Sequence, residues 1–453
     1  MVFVFFQYEM CGSAENGIQR RQLVGYELRH VTHGLALDHH HKIKAAGDQV
    51  DAVHLRVIVD ALRHLIKTET ALGGNLDLYQ SCQLLLAGLI PVNQGMITAD
   101  NTFLFHIRDE GIYSLEKGRT FYTSNAGLKE LREEIVRYLE RRIHVSYDPL
   151  REVLITVGGS EGIDMAFRAM LNPGDEVLIP QPSYVSYEPC CVLADGVPVI
   201  IELKEENEFR LTARELRDAI TDKTKILVLP FPNNPTGAIM TQKDLEEIAE
   251  VIIEKDIYVL SDEIYSELSY AGDHVSITSI PGMRERTVLI NGFSKAYAMT
   301  GWRLGYACGP AEILSQMTKL HQYAIMCAPT NSQYAAVEAL KNGDEDVAMM
   351  RESYDQRRRF LVHTLREMGL SCFEPYGAFY IFPSIQEFGM TSEEFATRFL
   401  MEEKVAVVPG TAFGACGEGF LRISYAYSLE DLKEATGRLA RFVTKLRAEK
   451  GAK

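Results

Sequence analysis

Short apolar segments alternate with amphipathic segments through the middle of this 453-residue chain. The apolar segments have the length of β-strands, and the segments between them have the periodicity of helices that bury one face. We predict strands at residues 152–157, 176–180, 198–203, 226–229, 257–260 and 288–290, and helices at residues 128–143, 162–171, 214–220 and 245–253. Because strands that alternate with helices form βαβ units, the pattern predicts an α/β fold with a mainly parallel, helix-covered sheet.

The sequence before this region has a different composition. Residues 1–105 contain one of the sixteen prolines, Pro91, whereas eight of the twelve histidines lie at or before His106. We predict one amphipathic helix here, at residues 50–67. The histidine triplet at residues 39–41 is interpreted as a solvated turn rather than a metal site, because no carboxylate or cysteine partner lies at ligand spacing. We therefore treat residues 1–105 as a separate, atypical N-terminal segment.

The pattern changes again after residue 310. Helices are predicted at residues 335–340, 351–367 and 429–447, and strands at residues 379–382, 405–408 and 420–424. The alternating region is therefore predicted to form a large domain at residues 106–310, followed by a smaller α+β domain at residues 311–453.

Composition excludes several classes of partner. The net charge of −15 argues against nucleic acid and anionic membranes, which attract clustered lysine and arginine. No apolar run reaches the roughly 18–20 residues of a membrane span, and the first residues lack the basic region of a signal peptide. The eight cysteines show no metal spacing, which favours reduced thiols and a cytoplasmic location.

One lysine stands in a segment with unusual chemistry. Residues 291–307 read NGFSKAYAMTGWRLGYA, so that Lys295 follows Ser294 and precedes Arg303 by eight residues. An amine, a hydroxyl and a guanidinium together suit an aldehyde cofactor with a phosphate group, since the amine forms a Schiff base while the other two groups hold the phosphate. A Ser-Lys pair alone would indicate only a surface loop, but this segment also contains Trp302, the only tryptophan of the chain.

The whole segment resembles the pyridoxal-phosphate lysine motif of class I/II aminotransferases, which are fold-type I enzymes of the aspartate aminotransferase kind. Further motifs of this family occur in the same order along the chain, between about His106 and Val443. The resemblance implies a mainly parallel seven-stranded sheet sandwiched by helices. It also implies that residues 106–310 bind pyridoxal 5′-phosphate, that Lys295 holds this cofactor, and that Ser294 and Arg303 bind its phosphate.

Two further motifs match cofactor contacts. In ITVGGSEG a strand ends in glycines that open a helix, and such a turn presents backbone N–H groups to a phosphate. It corresponds to the family's phosphate-binding turn, which implies contacts from Gly159, Ser160 and Glu161. In PSYVSY the resemblance implies that Tyr184 stacks on the pyridine ring. By itself, an aromatic residue after a strand more commonly serves packing.

Two motifs match contacts to the polar atoms of the cofactor ring. The resemblance assigns Asn234 of FPNNPTG and Tyr265 of SDEIYSEL to the phenolic oxygen, and Asp262 to the ring nitrogen. A carboxylate beside that nitrogen favours its protonated form, which makes the ring an electron sink. Without the resemblance, FPNNPTG would indicate a turn and Asp262 a helix cap.

The remaining two motifs concern the substrate and a second subunit. Arg422 lies in the apolar segment FLRISYA and matches the family's anchor for the substrate α-carboxylate, near which Asn234 also contributes. A structural salt bridge is the alternative for Arg422. Tyr122 of YTSNAG resembles the tyrosine that reaches the phosphate in the other subunit, which implies a homodimer with its active site at the interface.

The sequence departs from the family near its start. The family's Gly-Glu-Pro-Asp-Phe run, which covers the substrate, is absent, and the corresponding position reads QGMITADNTFLF. Either this segment is replaced or the sequence start is misassigned. We expect the departure to affect substrate closure, activity and dimer stability rather than cofactor binding.

The resemblance implies an aminotransferase of amino acid metabolism. It would move an amino group from an L-amino acid to a 2-oxo acid such as 2-oxoglutarate by a ping-pong mechanism, with Lys295, Asp262 and Tyr265 as catalytic residues. One alternative is a β-lyase or decarboxylase with the same cofactor. Another is a cofactor-binding regulatory or inactive module, although residues 1–105, with eight Lys and Arg against ten Asp and Glu, are not basic enough to favour DNA binding. The donor amino acid cannot be identified from these motifs, and Tyr380 is expected to be at most a neighbour of the site.

Overall fold

The computed structural model describes residues 104–451 together with the backbone of Val2–Phe3, and these belong to one compact unit. The helix predicted at residues 50–67, the histidine triplet and residues 94–103 of the segment that departs from the family lie outside the described residues. No helix of the described part is long and apolar enough to cross a membrane.

The largest sheet has seven strands and confirms the predicted α/β fold. The described strands are β1 (Val2–Phe3), β2 (Val153–Thr156), β3 (Glu176–Gln181), β4 (Val197–Glu202), β5 (Thr224–Leu229), β6 (Tyr258–Asp262), β7 (Thr287–Gly292), β8 (Gly305–Cys308), β9 (Tyr380–Ile381), β10 (Val405–Ala406), β11 (Val408–Pro409) and β12 (Leu421–Ser424). The order in the large sheet is β2-β8-β7-β6-β5-β3-β4. Only β8 in this sheet runs antiparallel to its neighbours, β2 and β7.

Helices cover both faces of this sheet. The described helices are α1 (Phe105–Glu116), α2 (Lys129–Ile143), α3 (Gly158–Met170), α4 (Tyr187–Leu193), α5 (Ala213–Ala219), α6 (Gln242–Lys255), α7 (Phe293–Ala296), α8 (Ala311–Ala324), α9 (Thr330–Asn342), α10 (Asp344–Glu367), α11 (Ser392–Glu403) and α12 (Leu429–Gly451). Successive residues of β7 point to opposite faces. Val288 and Ile290 pack in one cluster with α3 and α8, whereas Leu289 belongs to the cluster that includes α2 and α9.

A smaller antiparallel sheet, ordered β11-β12-β9, lies in the region after residue 310 together with α10, α11 and α12. The single strand predicted at residues 405–408 is two short strands, because β10 pairs with β1 and β11 pairs with β12. The boundaries of the three predicted domains stay a prediction.

Several described elements were not predicted from the sequence, among them α1 and α4. Strand β8 is only four residues long and begins with Gly305, so it carries little strand pattern. Helices α8 and α11 were also missed, although Thr391 forms a capping box with Glu394 at the start of α11, a signal that the sequence contains.

Candidate functional site

One cavity lies where several parallel strands end. Strands β2, β3, β5, β6 and β7 run in the same direction, so the loops that follow them meet at one edge of the sheet, where ligands bind in open α/β sheets. The cavity contains about 700 Å³ of empty space, part of it open to solvent. Its lining includes Gly159, Ser160, Tyr184, Asn234, Asp262, Tyr265, Ser294, Lys295 and Arg303, all of which the sequence predicted.

The amine of the site comes from the helix that follows β7. Lys295 belongs to α7 and is only 5% exposed. Its Nζ atom lies 5.8 Å from the ring centroid of Tyr265 and 5.8 Å from that of Phe379. The two rings enclose the amine, so that it faces the cavity rather than bulk solvent.

The turn between β2 and α3 lies against a guanidinium. Gly158 has a φ of 74°, and a Cβ atom at this position would come within 2.6 Å of Nη2 of Arg303. Arg303 donates from Nη1 to the carbonyl oxygen of Thr300 at 3.0 Å. Gly159 and Ser160 follow in the first turn of α3, where backbone N–H groups have no partner within the helix. A guanidinium beside a helix N-terminus suits a phosphate group.

The side chain of Glu161 does not belong to this candidate phosphate site. Its Oε2 atom accepts a hydrogen bond from the backbone N–H of Val157 at 2.5 Å, and its Oε1 atom lies 2.9 Å from Nδ1 of His321. Glu161 is not among the residues that line the cavity. The geometry therefore does not bring its carboxylate to the predicted phosphate position, as expected for a negatively charged group near an anion site.

The acid of the site is Asp262, at the end of β6. Its Oδ2 atom accepts from the Tyr187 hydroxyl at 2.7 Å, and its Oδ1 atom accepts from the Ile264 N–H at 3.2 Å. Burial raises the pKa of Asp262 from 3.8 to about 6; the two hydrogen bonds and nearby Lys295 oppose this rise, and Glu263 adds to it. A buried carboxyl group of this kind ionises more readily when a cation lies beside it.

The raised pKa of Asp262 predicts a pH-dependent stability. Between about pH 4 and pH 6 the folded state binds a proton at Asp262 that the unfolded state has lost, so this contribution is present at low pH and disappears as the pH rises through about 6. Relative to Asp262→Asn, the cofactor-free wild type should lose up to about 3 kcal/mol of unfolding free energy between about pH 4 and pH 7. Urea unfolding of both proteins across this range tests the prediction, and parallel pH curves would contradict it.

Arg422 belongs to β12. It is 1% exposed, and its guanidinium carbon lies 4.5 Å from the ring centroid of Tyr380 and 4.7 Å from that of Phe413. Its Nη1 atom donates to Oδ1 of Asn234 at 2.9 Å, and Asn234 lines the cavity. Arg422 itself is not among the lining residues, so Asn234 links the guanidinium to the cavity.

Two tyrosines that the sequence did not assign belong to this network. Tyr187 binds Asp262, and the hydroxyl of Tyr380 lies 3.1 Å from the hydroxyl of Tyr265. Burial raises the pKa of Tyr265 well above its ordinary value. Tyr380 connects Tyr265 to Arg422 but does not line the cavity, so it is a neighbour of the site, as the sequence indicated. Tyr187 is the second tyrosine of PSYVSY, but no local pattern indicates which ring reaches the acid.

Tyr122 does not join the cavity of its own chain. Its side chain is 76% exposed, and it is not among the lining residues. Asn125, in the same segment, donates to Gln322 at 2.7 Å and so ties this segment to α8. The contact predicted across a dimer interface stays a prediction.

The donor set fits the cofactor that the motifs imply. Gly159, Ser160, Ser294 and Arg303 offer phosphate contacts, and Lys295 offers an amine. Tyr184 offers a flat face, and the acid, amide and phenol come from Asp262, Asn234 and Tyr265. These groups all line one cavity, which combines apolar and aromatic walls with a few polar groups, as small-molecule sites do.

A mainly parallel seven-stranded sheet with a buried lysine in a cavity at the strand ends is the architecture of fold-type I enzymes. The family model for aminotransferase class I and II matches residues 93–439, and the chain belongs to this family. The match begins about thirteen residues before His106 and so includes the segment at residues 94–105, in which the sequence showed no family pattern; residues 1–92 lie outside it. The protein is accordingly an enzyme that transfers amino groups.

Named relatives support this assignment. The chain is 48% identical over 337 residues to an aspartate aminotransferase of Pyrococcus abyssi, covering 74% of this chain and 87% of the relative. The solved aromatic aminotransferase of Pyrococcus horikoshii OT3 is 46% identical, with a TM-score of 0.75, covering 77% of this chain and 94% of that one. The aspartate aminotransferase of Thermus thermophilus, solved with maleate, is 40% identical with a TM-score of 0.71, covering 74% and 87%.

Proposed function

We propose that this protein is a pyridoxal-phosphate-dependent aminotransferase that moves an amino group from an L-amino acid to a 2-oxo acid, with 2-oxoglutarate as acceptor, by a ping-pong mechanism. The observation that carries the proposal is the single cavity in which Lys295, Asp262 and Arg303 meet. An amine, a buried acid and a cation beside a helix N-terminus are the three charged contacts that this cofactor needs.

Different residues of the cavity would bind different parts of the cofactor. Lys295 would bind the aldehyde end, and the turn at Gly159 and Ser160, with Ser294 and Arg303, would bind the phosphate. Tyr184 would lie on the ring face, Asn234 and Tyr265 would contact the phenolic oxygen, and Asp262 would contact the ring nitrogen. When bound, pyridoxal phosphate supplies an aldehyde that condenses with amines and a ring that accepts electrons from the substrate Cα.

The catalytic work of the chain is proton transfer and orientation. Lys295 acts as general base at the substrate Cα and returns the proton as general acid. The rings of Tyr265 and Phe379 lie beside this amine and limit the directions from which a proton can reach it. Asp262 holds a proton at the ring nitrogen, and Arg422 fixes the substrate α-carboxylate so that the Cα–H bond faces Lys295.

The relatives differ in the substrate that their names state, since one solved relative is an aromatic aminotransferase and others are aspartate aminotransferases. A panel of L-amino acids with 2-oxoglutarate would therefore identify the donor. Each donor is assayed with and without the 2-oxo acid. Amino-group transfer that depends on the acceptor supports the proposal, whereas pyruvate and ammonia released without any acceptor would show a β-lyase instead.

Replacing Arg422 with lysine should weaken substrate binding. Lysine keeps the charge but cannot form two parallel hydrogen bonds with a carboxylate, so one charge-assisted bond is lost. We expect the KM for both amino acid and 2-oxo acid to rise about 10- to 100-fold, with a smaller change in kcat. Arg132→Lys is the matched control. Arg132 of α2 is also buried, but its guanidinium donates to the carbonyl oxygen of Pro149. Equal KM changes in the two variants would contradict a specific role for Arg422.

We also propose a cytoplasmic homodimer with Tyr122 reaching the partner's cofactor. The support is the exposure of Tyr122, together with the exposed side chains of Phe121 and Tyr323. Asn125 and Gln322 hydrogen-bond to each other, so the segments that carry these aromatic residues lie side by side. Exposed apolar clusters of this kind mark interfaces, and light scattering of the purified protein tests the dimer.

A further inference from the structure

A buried histidine lies behind the phosphate turn. His321 of α8 has an exposed fraction of 0%, and its Nδ1 atom lies 2.9 Å from Oε1 of Glu161. The other carboxylate oxygen of Glu161 accepts from the backbone N–H of Val157, the residue before Gly158. Hydrogen bonds therefore connect His321 through Glu161 to Val157, at the start of the turn at residues 157–160.

The environment of His321 selects one tautomer. Its Nε2 atom is buried and has no hydrogen-bond partner among the described residues. A hydrogen on Nε2 would therefore be a buried donor without an acceptor, which is costly. With the hydrogen on Nδ1 instead, His321 donates to Glu161. Leu314 and Met317 of the same helix pack in one cluster with residues of α3, so the ring is held in place from its own helix.

The carboxylate of Glu161 carries a negative charge and would compete with a phosphate for the turn at residues 157–160. A negative charge in the first turn of a helix is attracted to the same N–H groups that would bind a phosphate. Arg303, which lies against Gly158, would attract the carboxylate as well. In the observed conformation the carboxylate does not take the place of a phosphate at Gly159 and Ser160, because one oxygen of Glu161 accepts from the N–H of Val157 and the other faces His321.

We propose that His321 is a positioning residue, which through Glu161 holds the turn at residues 157–160 open for the phosphate of the cofactor. This inference rests on the proposed function, because it takes the phosphate of pyridoxal phosphate as the ligand of the turn. His321 acts at a distance and does not touch the reacting atoms.

The test compares two forms of the cofactor in the full-length protein. Binding of pyridoxal phosphate and of pyridoxal, which lacks the phosphate, is measured by the fluorescence of Trp302, next to Arg303. In His321→Leu the affinity for pyridoxal phosphate should fall at least about 10-fold, the loss expected when a charged hydrogen bond is removed. The affinity for pyridoxal should stay unchanged. Inorganic phosphate should also compete with pyridoxal phosphate less effectively in this variant than in the wild type.

Two further variants separate positioning from general damage. His321→Asn places an amide nitrogen near the position of Nδ1 and should restore most of the affinity. The double variant Glu161→Gln with His321→Leu keeps an oxygen acceptor for Val157 but removes the competing charge, and should restore affinity as well. His106→Leu is the matched control, because His106 also contacts carboxylates, but these belong to Glu338 and Asp346 and lie outside the turn at residues 157–160.

The outcomes are distinct. An equal loss of affinity for pyridoxal and pyridoxal phosphate in His321→Leu would indicate a merely structural role and overturn the inference. Unchanged pyridoxal phosphate affinity in His321→Leu would overturn it too, while leaving the proposed function intact. If the wild type itself failed to bind pyridoxal phosphate, the proposed function would fall together with the inference.

Discussion

Replacing Lys295 with alanine should lower kcat by at least about 10⁴-fold, because one change removes both the amine that binds the cofactor and the general base of the reaction. Lys295 is buried beside Tyr265 and Phe379, and a replacement base would have to reach the same position. Steady-state assays with the best amino acid donor and 2-oxoglutarate measure the loss.

The covalent role of Lys295 has an independent readout. Wild-type protein loaded with pyridoxal phosphate, reduced with borohydride and digested, should show the added mass on the peptide that contains Lys295. Lys295→Ala should show no such adduct, while an exposed lysine of α8, Lys319, provides the matched control as Lys319→Ala. An adduct on a different lysine in the wild type would show that the assignment of Lys295 is wrong.

Most of the large sheet could be predicted because its parallel strands are buried on both faces. Strands β5, β6 and β7 therefore read as short, nearly continuous apolar runs between amphipathic helices. Strand β8 was not predicted because it has only four residues and lies between β7 and β2, the second of which is about 150 residues earlier in the chain. Such a pairing leaves no local periodicity.

The candidate site was predictable where a residue stands inside a recognisable motif. Lys295, Asp262 and Asn234 follow strands in segments that resemble the family, and all three line the cavity. Tyr187 and His321 could not be assigned in this way. Tyr187 meets Asp262 across 75 residues of sequence, and His321 meets Glu161 across 160.

The same distinction explains the placement of Glu161. The motif predicted a residue at the phosphate turn, and Glu161 does belong to that turn. Sequence pattern alone does not say where a side chain points, and here two partners, Val157 and His321, hold the carboxylate outside the cavity. A position in a motif is therefore a weaker statement than a contact of the side chain.

Replacing Asp262 with asparagine should lower kcat on the order of 10²- to 10³-fold, the usual cost of removing one preorganised electrostatic group. Asparagine has nearly the same shape and keeps an oxygen for the N–H of Ile264, but it carries no charge to hold a proton at the ring nitrogen. Tyr187→Phe is the matched control, since it removes one hydrogen bond to Asp262 and leaves the charge, and should cost less than about 10-fold. If the two variants lost activity equally, the orientation of Asp262 rather than its charge would be the property that matters. A larger loss of kcat in Asp262→Asn than in Tyr187→Phe would assign the effect to the charge. Pyridoxal phosphate should remain bound in both variants, because its phosphate contacts do not involve Asp262.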